Sequence, residues 1–407
     1  MIGLLKKGVK YLFWMLVVIL VAFNFAIIFT GKFYIYKGFF ATYFQGHIQP
    51  TIYDDQVFEN RTISTYQTNQ WFNHKKLGQV KMSEQQHQYI EDLNPASFLV
   101  VWGDTIIYEE YFNEHNALKL GNSFSMAKTV VALLIGAAVE DGYIKSIDEP
   151  VANYLKEFTV DKKDKITIRH FLTMSSGLSW TEDYFNPFGE TAELYYDTDA
   201  RDLVLNRRYV EEEPGKVFKY SSADTQTLVY IIMEATGKTA ADYASEKIWS
   251  KIGAESDAQW SLVGDKNSEE KSYCCIYATT RDFARLGKLI NQNGKWEDEQ
   301  LISENYVKEL KSIAPLSKTN GKPNQLYGFQ YWIYTGLPYK VTYFRGMLGQ
   351  YIISIPKYDL VIVRTGNGVH KKWVNTSKRK DDNLEGHRLE LPVYISTAMS
   401  LLSQIKD

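Results

Sequence analysis

The stretch "GNSFSMAKTVVALLIGAAVEDG", residues 121–142, decides how the rest of the chain is read. It is apolar or small nearly all round, the pattern of a helix buried on every side. Lys128 is out of place in it. A helix start disfavours a cation, and burying an ammonium costs several kcal/mol, of order 2–7 even for a neutral polar group. The spacing Ser125-Met126-Ala127-Lys128 offers a chemical reason. Residues three apart share a helix face, so the amine can reach the Ser125 hydroxyl. The positive end of the helix lowers the lysine pKa and favours a developing alkoxide. A neutral lysine can then act as base toward a serine nucleophile. Ser123, nearer the helix start, is expected to cap it. Taken alone, S-x-x-K is a weak motif, because such tetrapeptides arise by chance and most lysines are simply solvated.

Three later segments add weight. "PGKVFKYSS" carries Tyr220 between a strand-like run and a helix, with Ser222 two residues on. "HFLTMSSGLSW" follows a short helical pattern, and "YFRGMLGQYIISIP" leads through glycines into a strand. In this order and at these separations, the four segments resemble the serine hydrolases of the penicillin-binding-protein and class C β-lactamase-like family, closest to its esterase and 6-aminohexanoate-dimer hydrolase branch. The resemblance runs from about Ala96 onward. It implies that Ser125 is the acylated nucleophile, Lys128 its partner, and Tyr220 the tyrosine of the Y-x-N element, a proton shuttle. Ser222 stands where asparagine is usual. Met347 to Gly349 stands where K-T-G or H-x-G occurs, so no Lys or His is present there to bind a substrate carboxylate. Arg345 is close by in sequence, and Gly349 still permits close backbone approach. The resemblance places an oxyanion hole on the backbone N–H groups of Ser125 and Gln350. Ser222, Gly349 and Arg345 are the substrate-binding candidates.

The 407-residue chain has 46 Lys+Arg against 48 Asp+Glu, a net charge of −2, which is not a nucleic-acid-binding balance. Lys6, Lys7 and Lys10 precede an uncharged run over residues 11–31, long enough to cross a bilayer. "AFNFA" lacks the A-x-A spacing of a cleavage site, so an uncleaved anchor is favoured over a signal peptide. The lysines put the N-terminus inside and the rest outside, on the periplasmic or extracellular side of a bacterial inner membrane. Residues 32–88 read as a juxtamembrane extension and 89–407 as the hydrolase domain. The adjacent Cys274 and Cys275 read as two small buried side chains without a disulfide, since neighbours pair only with strain. No spacing of Cys or His suggests a metal, and no cofactor is expected.

Around Gly103-Asp104, "ASFLVVWGDTIIYEEYF" reads as a hairpin. "KVTYFRG", "GQYIISIP" and "LVIVRTG" read as late strands. Helical patterns lie between, among them "TTRDFARLGKLINQNG", with Thr280 and Asp282 at its start, and "LPVYISTAMSLLSQI" ends the chain. The expected fold is α/β and β-lactamase/transpeptidase-like. It has an antiparallel sheet built from both ends of the domain, flanking helices, and a mostly helical second lobe. G-x-S-x-G and H-E-x-x-H are absent. "TGKTA" is not a phosphate loop, because Ile232 occupies its first glycine position. His170 reads as structural, and "KKWVNTSKRKDD" as a solvated loop. The expected activity is amide or ester cleavage of a small or peptide-like substrate. The alternatives are a β-lactamase or D-Ala-D-Ala carboxypeptidase, and a catalytically idle domain binding peptidoglycan or a protein.

Overall fold

The computed structural model describes residues 2–47, 49–368 and 386–406. The basic segment "KKWVNTSKRKDD" lies outside them. Helix α1 (Ile2–Thr30) stands almost wholly clear of the folded body. Among the described residues its stretch Lys6–Thr30 is the one helix long and apolar enough to span a bilayer. After a left-handed turn at Gly31, α2 (Tyr34–Ala41) folds back beside it.

The extension then supplies two strands, β1 (Asn60–Ile63) and β2 (Phe72–Asn73). The expected hairpin follows as β3 (Pro95–Trp102) and β4 (Thr105–Tyr111), and β5 (Gly121–Asn122) leads into α3 (Ala127–Glu140). The helical lobe includes α4 (Glu190–Tyr196) and α5 (Ser222–Thr236). Strands β6 (Ala258–Ser261) and β7 (Ile276–Ala278) precede α6 (Thr280–Asn291). Last come β8 (Trp332–Tyr334), β9 (Val341–Gly346), β10 (Gln350–Ile355), β11 (Leu360–Gly366) and α7 (Glu390–Lys406).

The main sheet runs β8-β9-β10-β11-β3-β4-β2, antiparallel except for the short β2–β4 pair. Strand β3 from the start of the domain pairs with β11 from its end, Ile362 opposite Val100. Side chains alternate across a strand, so the sheet divides two cores. Leu99, Val101, Ile352 and Val363 join α6 and the helical lobe on one face. Phe98, Val100, Ile353 and Ile362 meet α7 on the other. Burial on both faces explains the near-continuous apolar runs in these strands. Each such side chain contributes about 1.5–3 kcal/mol. A smaller sheet, β1-β6-β7-β5, ties the extension to the lobe through Ile63 opposite Ala258.

Three local expectations are corrected. Cys274 and Cys275 form a disulfide. The chain turns sharply there, with Cys275 in the left-handed region at φ 73°, so the two sulfurs reach each other. Ser123 does not cap a helix: its Oγ accepts from Ile276 N at 3.0 Å and donates to Phe124 O. Helix α6 is capped by Thr279, one residue before Thr280, with the Thr279 hydroxyl accepting from Asp282 N. His170 has the structural role expected of it, accepting from Thr167 N at 3.2 Å.

Candidate active site

The Ser125 segment enters from β5 through a 3-10 turn, Phe124–Met126, before α3 begins. Phe124 is held at φ 43° while its N–H donates to Asn122 Oδ1. Met174, Gln330 and Leu348, on segments that converge on this region, also have positive φ. Such conformations cost on the order of 1–3 kcal/mol each and gather at functional sites, where the surrounding packing dictates them.

Lys128 is 1 % exposed. Its Nζ donates to Ser125 Oγ at 3.2 Å, Ser222 Oγ at 3.1 Å and Tyr273 O at 2.8 Å. Burial holds its pKa down to about 8, against an opposing pull from Glu182. Glu182 was not singled out in the sequence. Its carboxylate accepts from Ser222 Oγ at 2.6 Å, Ser222 N at 2.8 Å, Trp180 Nε1 at 2.6 Å and Tyr184 OH at 2.6 Å.

These contacts fix the direction of the hydrogen bonds. Ser222 spends its proton on Glu182, so it can only accept from Lys128. Tyr273 O can only accept. A neutral amine has two N–H bonds and one lone pair. The ammonium donates to all three partners; once it is neutral, with its two N–H bonds kept on Ser222 and Tyr273 O, its lone pair is left toward the Ser125 hydroxyl. The geometry therefore suits removal of a proton from Ser125.

Tyr220 lies over the same amine, its ring centroid 5.1 Å from Lys128 Nζ, and its hydroxyl is within hydrogen-bonding reach of Ser125. Burial, then the Glu182 charge, raises its pKa, so the phenol keeps its proton. Ser221 caps α5 just after it, accepting from Asp224 N. A buried ion pair, Arg208 to Asp224, locks this helix start, and Ser176 of the "TMSSGL" segment donates to the same carboxylate at 2.9 Å.

The turn 346–350 packs on the Ser125 segment. A Cβ at Gly346 would come 2.2 Å from Ser123 O. Leu348 and Gly349 are left-handed, at φ 59° and 82°. Arg364 clamps the turn by donating to Leu348 O and Gly349 O, both at 2.8 Å. The Gln350 side chain is spent on Gly366 and Met347 O. Arg345 stacks its guanidinium 3.5 Å from the Trp332 ring centroid, in the aromatic group that also holds Tyr220. Met347 packs toward Phe124 and Ile52. Ser222 is 2 % exposed and sits beneath the site rather than at its mouth. The sequence thus led to Ser125, Lys128, Tyr220, Ser222 and Gln350, which the fold brings together. It missed Glu182, the Tyr273 carbonyl and Arg364.

Comparison with known proteins agrees with this architecture. The model of the Beta-lactamase family matches residues 87–385. The 6-aminohexanoate-dimer hydrolase of Paenarthrobacter ureafaciens is 24% identical over 292 residues, covering 68% of this chain and 74% of that protein. Penicillin-binding protein 4* of Bacillus subtilis (strain 168) is 23% identical over 249 residues, 59% of this chain and 52% of that protein. A Bacillus anthracis structure assigned to the 6-aminohexanoate-dimer hydrolases has a TM-score of 0.72 at 22% identity, covering 87% of this chain and 94% of that one, a likeness of fold. With most of its length matched and the sheet closed from both ends as that fold requires, the chain belongs to the β-lactamase-related family of serine hydrolases.

Proposed function

We propose that this protein is a membrane-anchored serine hydrolase that cleaves an amide or ester bond through an acyl-enzyme on Ser125. The observation that carries the reading is the buried Lys128 amine, held to about 8 and bonded to Ser125, Ser222 and Tyr273 O. In the first step Ser125 Oγ attacks the carbonyl carbon and its proton passes to Lys128. The oxyanion is held by the N–H groups of Ser125 and Gln350, each donor worth about 10²–10³ in rate. Tyr220 donates its proton to the leaving nitrogen or oxygen and is reprotonated from Lys128. Water then attacks the acyl-enzyme with the proton path reversed.

Helix α1 would hold the catalytic domain outside the bacterial inner membrane. The substrate would be a small or peptide-like ester or amide. A second reading, action on a carboxylate-bearing cell-wall peptide or β-lactam, is favoured by Arg345, whose cation sits in the aromatic group around Tyr220. A fluorophosphonate probe tests the first reading. Wild type is expected to label and Ser125→Ala not to, whereas an unlabelled wild type would leave an idle binding domain. Turnover of nitrocefin would favour the second reading. An inactive alkaline phosphatase fusion after Gly46 would contradict the outside placement.

A further inference from the structure

We propose that the aromatic face shared by α2 and the loop 181–189 seats in the lipid–water interface, so that the site acts on amphiphiles held in that bilayer. This rests on the reading of α1 as a membrane span. The lysines at positions 6, 7 and 10 leave twenty uncharged residues, 11–30, before the turn at Gly31. At about 1.5 Å per residue they measure about 30 Å, the thickness of a hydrocarbon core. The helix has no spare length, so its upper turns must lie within the outer leaflet.

The folded body grips those upper turns. Ile27 is wholly buried against Tyr34 and Ile35. Tyr36 OH donates to Asn24 Oδ1 at 2.7 Å. On the loop, Phe188 lies edge-on to Phe23 with centroids 6.0 Å apart, and Lys32 Nζ donates to Phe188 O at 2.9 Å. Phe23 lies about 10 Å below Thr30 along the helix. The tip of the loop and α2 are therefore drawn to the boundary between headgroups and acyl chains, where interfacial segments bury themselves by about 5–10 Å.

What they present there is aromatic. Phe33, Phe39, Phe40 and Phe44 are exposed, and Phe185 on the loop is 93% exposed. Phe40 and Phe44 stack at 4.8 Å. A group of exposed aromatics beside a membrane helix marks a binding surface, and aromatics are favoured at this depth. Continuity with α1 commits the face to lipid rather than to a protein.

The same loop carries Glu182, six residues in sequence before Phe188, and so links the proposed chemistry to the membrane helix. A cleft of about 770 Å³ lies between α2 and the turn that carries Gln350, with Phe40 and Leu348 in its walls beside the polar Lys37, Asp54, Gln56 and Asn367. It reaches the turn at Leu348, two residues before Gln350. The substrate class is thus an ester or amide near the polar end of a long-chain amphiphile.

The test uses the full-length protein in bacterial membranes, with a photoreactive benzoylphenylalanine at position 16, 39, 118 or 185. Phospholipid adducts are expected at 16, 39 and 185 and not at 118, an exposed site on the folded body. Adducts at 16 without 39 and 185 would overturn the interfacial seat and leave the anchor standing. No adduct at 16 would remove the anchor and this proposal with it. For the substrate class, the purified protein in phosphatidylethanolamine–phosphatidylglycerol vesicles is given hexadecanoyl and butanoyl p-nitrophenyl esters. The double variant Phe39→Asp/Phe44→Asp should lose about tenfold on the vesicle-borne hexadecanoyl ester and stay within about twofold on the butanoyl ester. Equal effects on both would overturn the assignment. Loss of fluorophosphonate labelling in the wild type would instead mark failure of the hydrolase reading.

Discussion

Replacing Glu182 by Gln should move the pH dependence of acylation toward acid. The change keeps the shape and one acceptor for Ser222 while removing a charge that pulls the Lys128 pKa upward. The two hydrogen bonds through Ser222, 3.1 and 2.6 Å long, keep the ammonium and carboxylate within about 6 Å. At that separation the attraction is about 0.7 kcal/mol in a water-like medium and about 3 kcal/mol at an effective dielectric of about 20. These correspond to between about half a unit and about two units of pKa. With Lys128 at about 8 in the wild type, the neutral fraction climbs from about 1% at pH 6 to half at pH 8. The second-order rate of fluorophosphonate labelling should therefore rise about fiftyfold across that interval and level off above it. In Glu182→Gln the midpoint should fall to between about 6 and about 7.5. Relative to its own plateau, the variant should be faster than wild type at pH 6. A midpoint unmoved or shifted to alkali would refute the coupling. A flat wild-type profile would refute Lys128 as the base.

Tyr220→Phe should keep the thermal midpoint and lower turnover of a soluble ester by about 10²–10⁴, measured by steady-state kinetics. Gly346→Ala sets a methyl 2.2 Å from Ser123 O, so it should displace the turn carrying Gln350 and slow labelling at least tenfold, by about 1.4 kcal/mol or more. Arg208→Met leaves Asp224 charged and unpaired in the interior. Urea unfolding should show a loss of about 3–5 kcal/mol, partly recovered in Arg208→Met/Asp224→Asn.

Much of the core of this fold was legible because its signals are local. The hairpin around Gly103-Asp104, the three late strands and α6 follow from period and turn chemistry within a dozen residues. Ser125 and Lys128 share a face by spacing alone. The rest depends on contacts that no local pattern carries. Glu182 reaches Ser222 across forty residues of sequence. The third partner of Lys128 is a main-chain carbonyl, which leaves no mark in the residue type at Tyr273. The residue type at Ser123 suits a cap, but a 3-10 turn and a left-handed Phe124 start the segment instead, freeing its hydroxyl for Ile276. The pairing of β1 with β6 joins segments nearly two hundred residues apart.

The partnership of β3 with β11 also sets a timetable for making the protein. Val100 finds its partner about 260 residues later, at Ile362. At about 5–20 residues per second, β3 and β4 wait roughly 15 to 50 seconds after synthesis before the sheet can close. During that interval the β3 edge presents unpaired N–H and C=O groups to any other extended chain. A polypeptide cut short before Leu360 would carry Ser125, Lys128, Tyr220 and Gln350 and still be an open sheet, so its fate would be aggregation or proteolysis rather than partial activity.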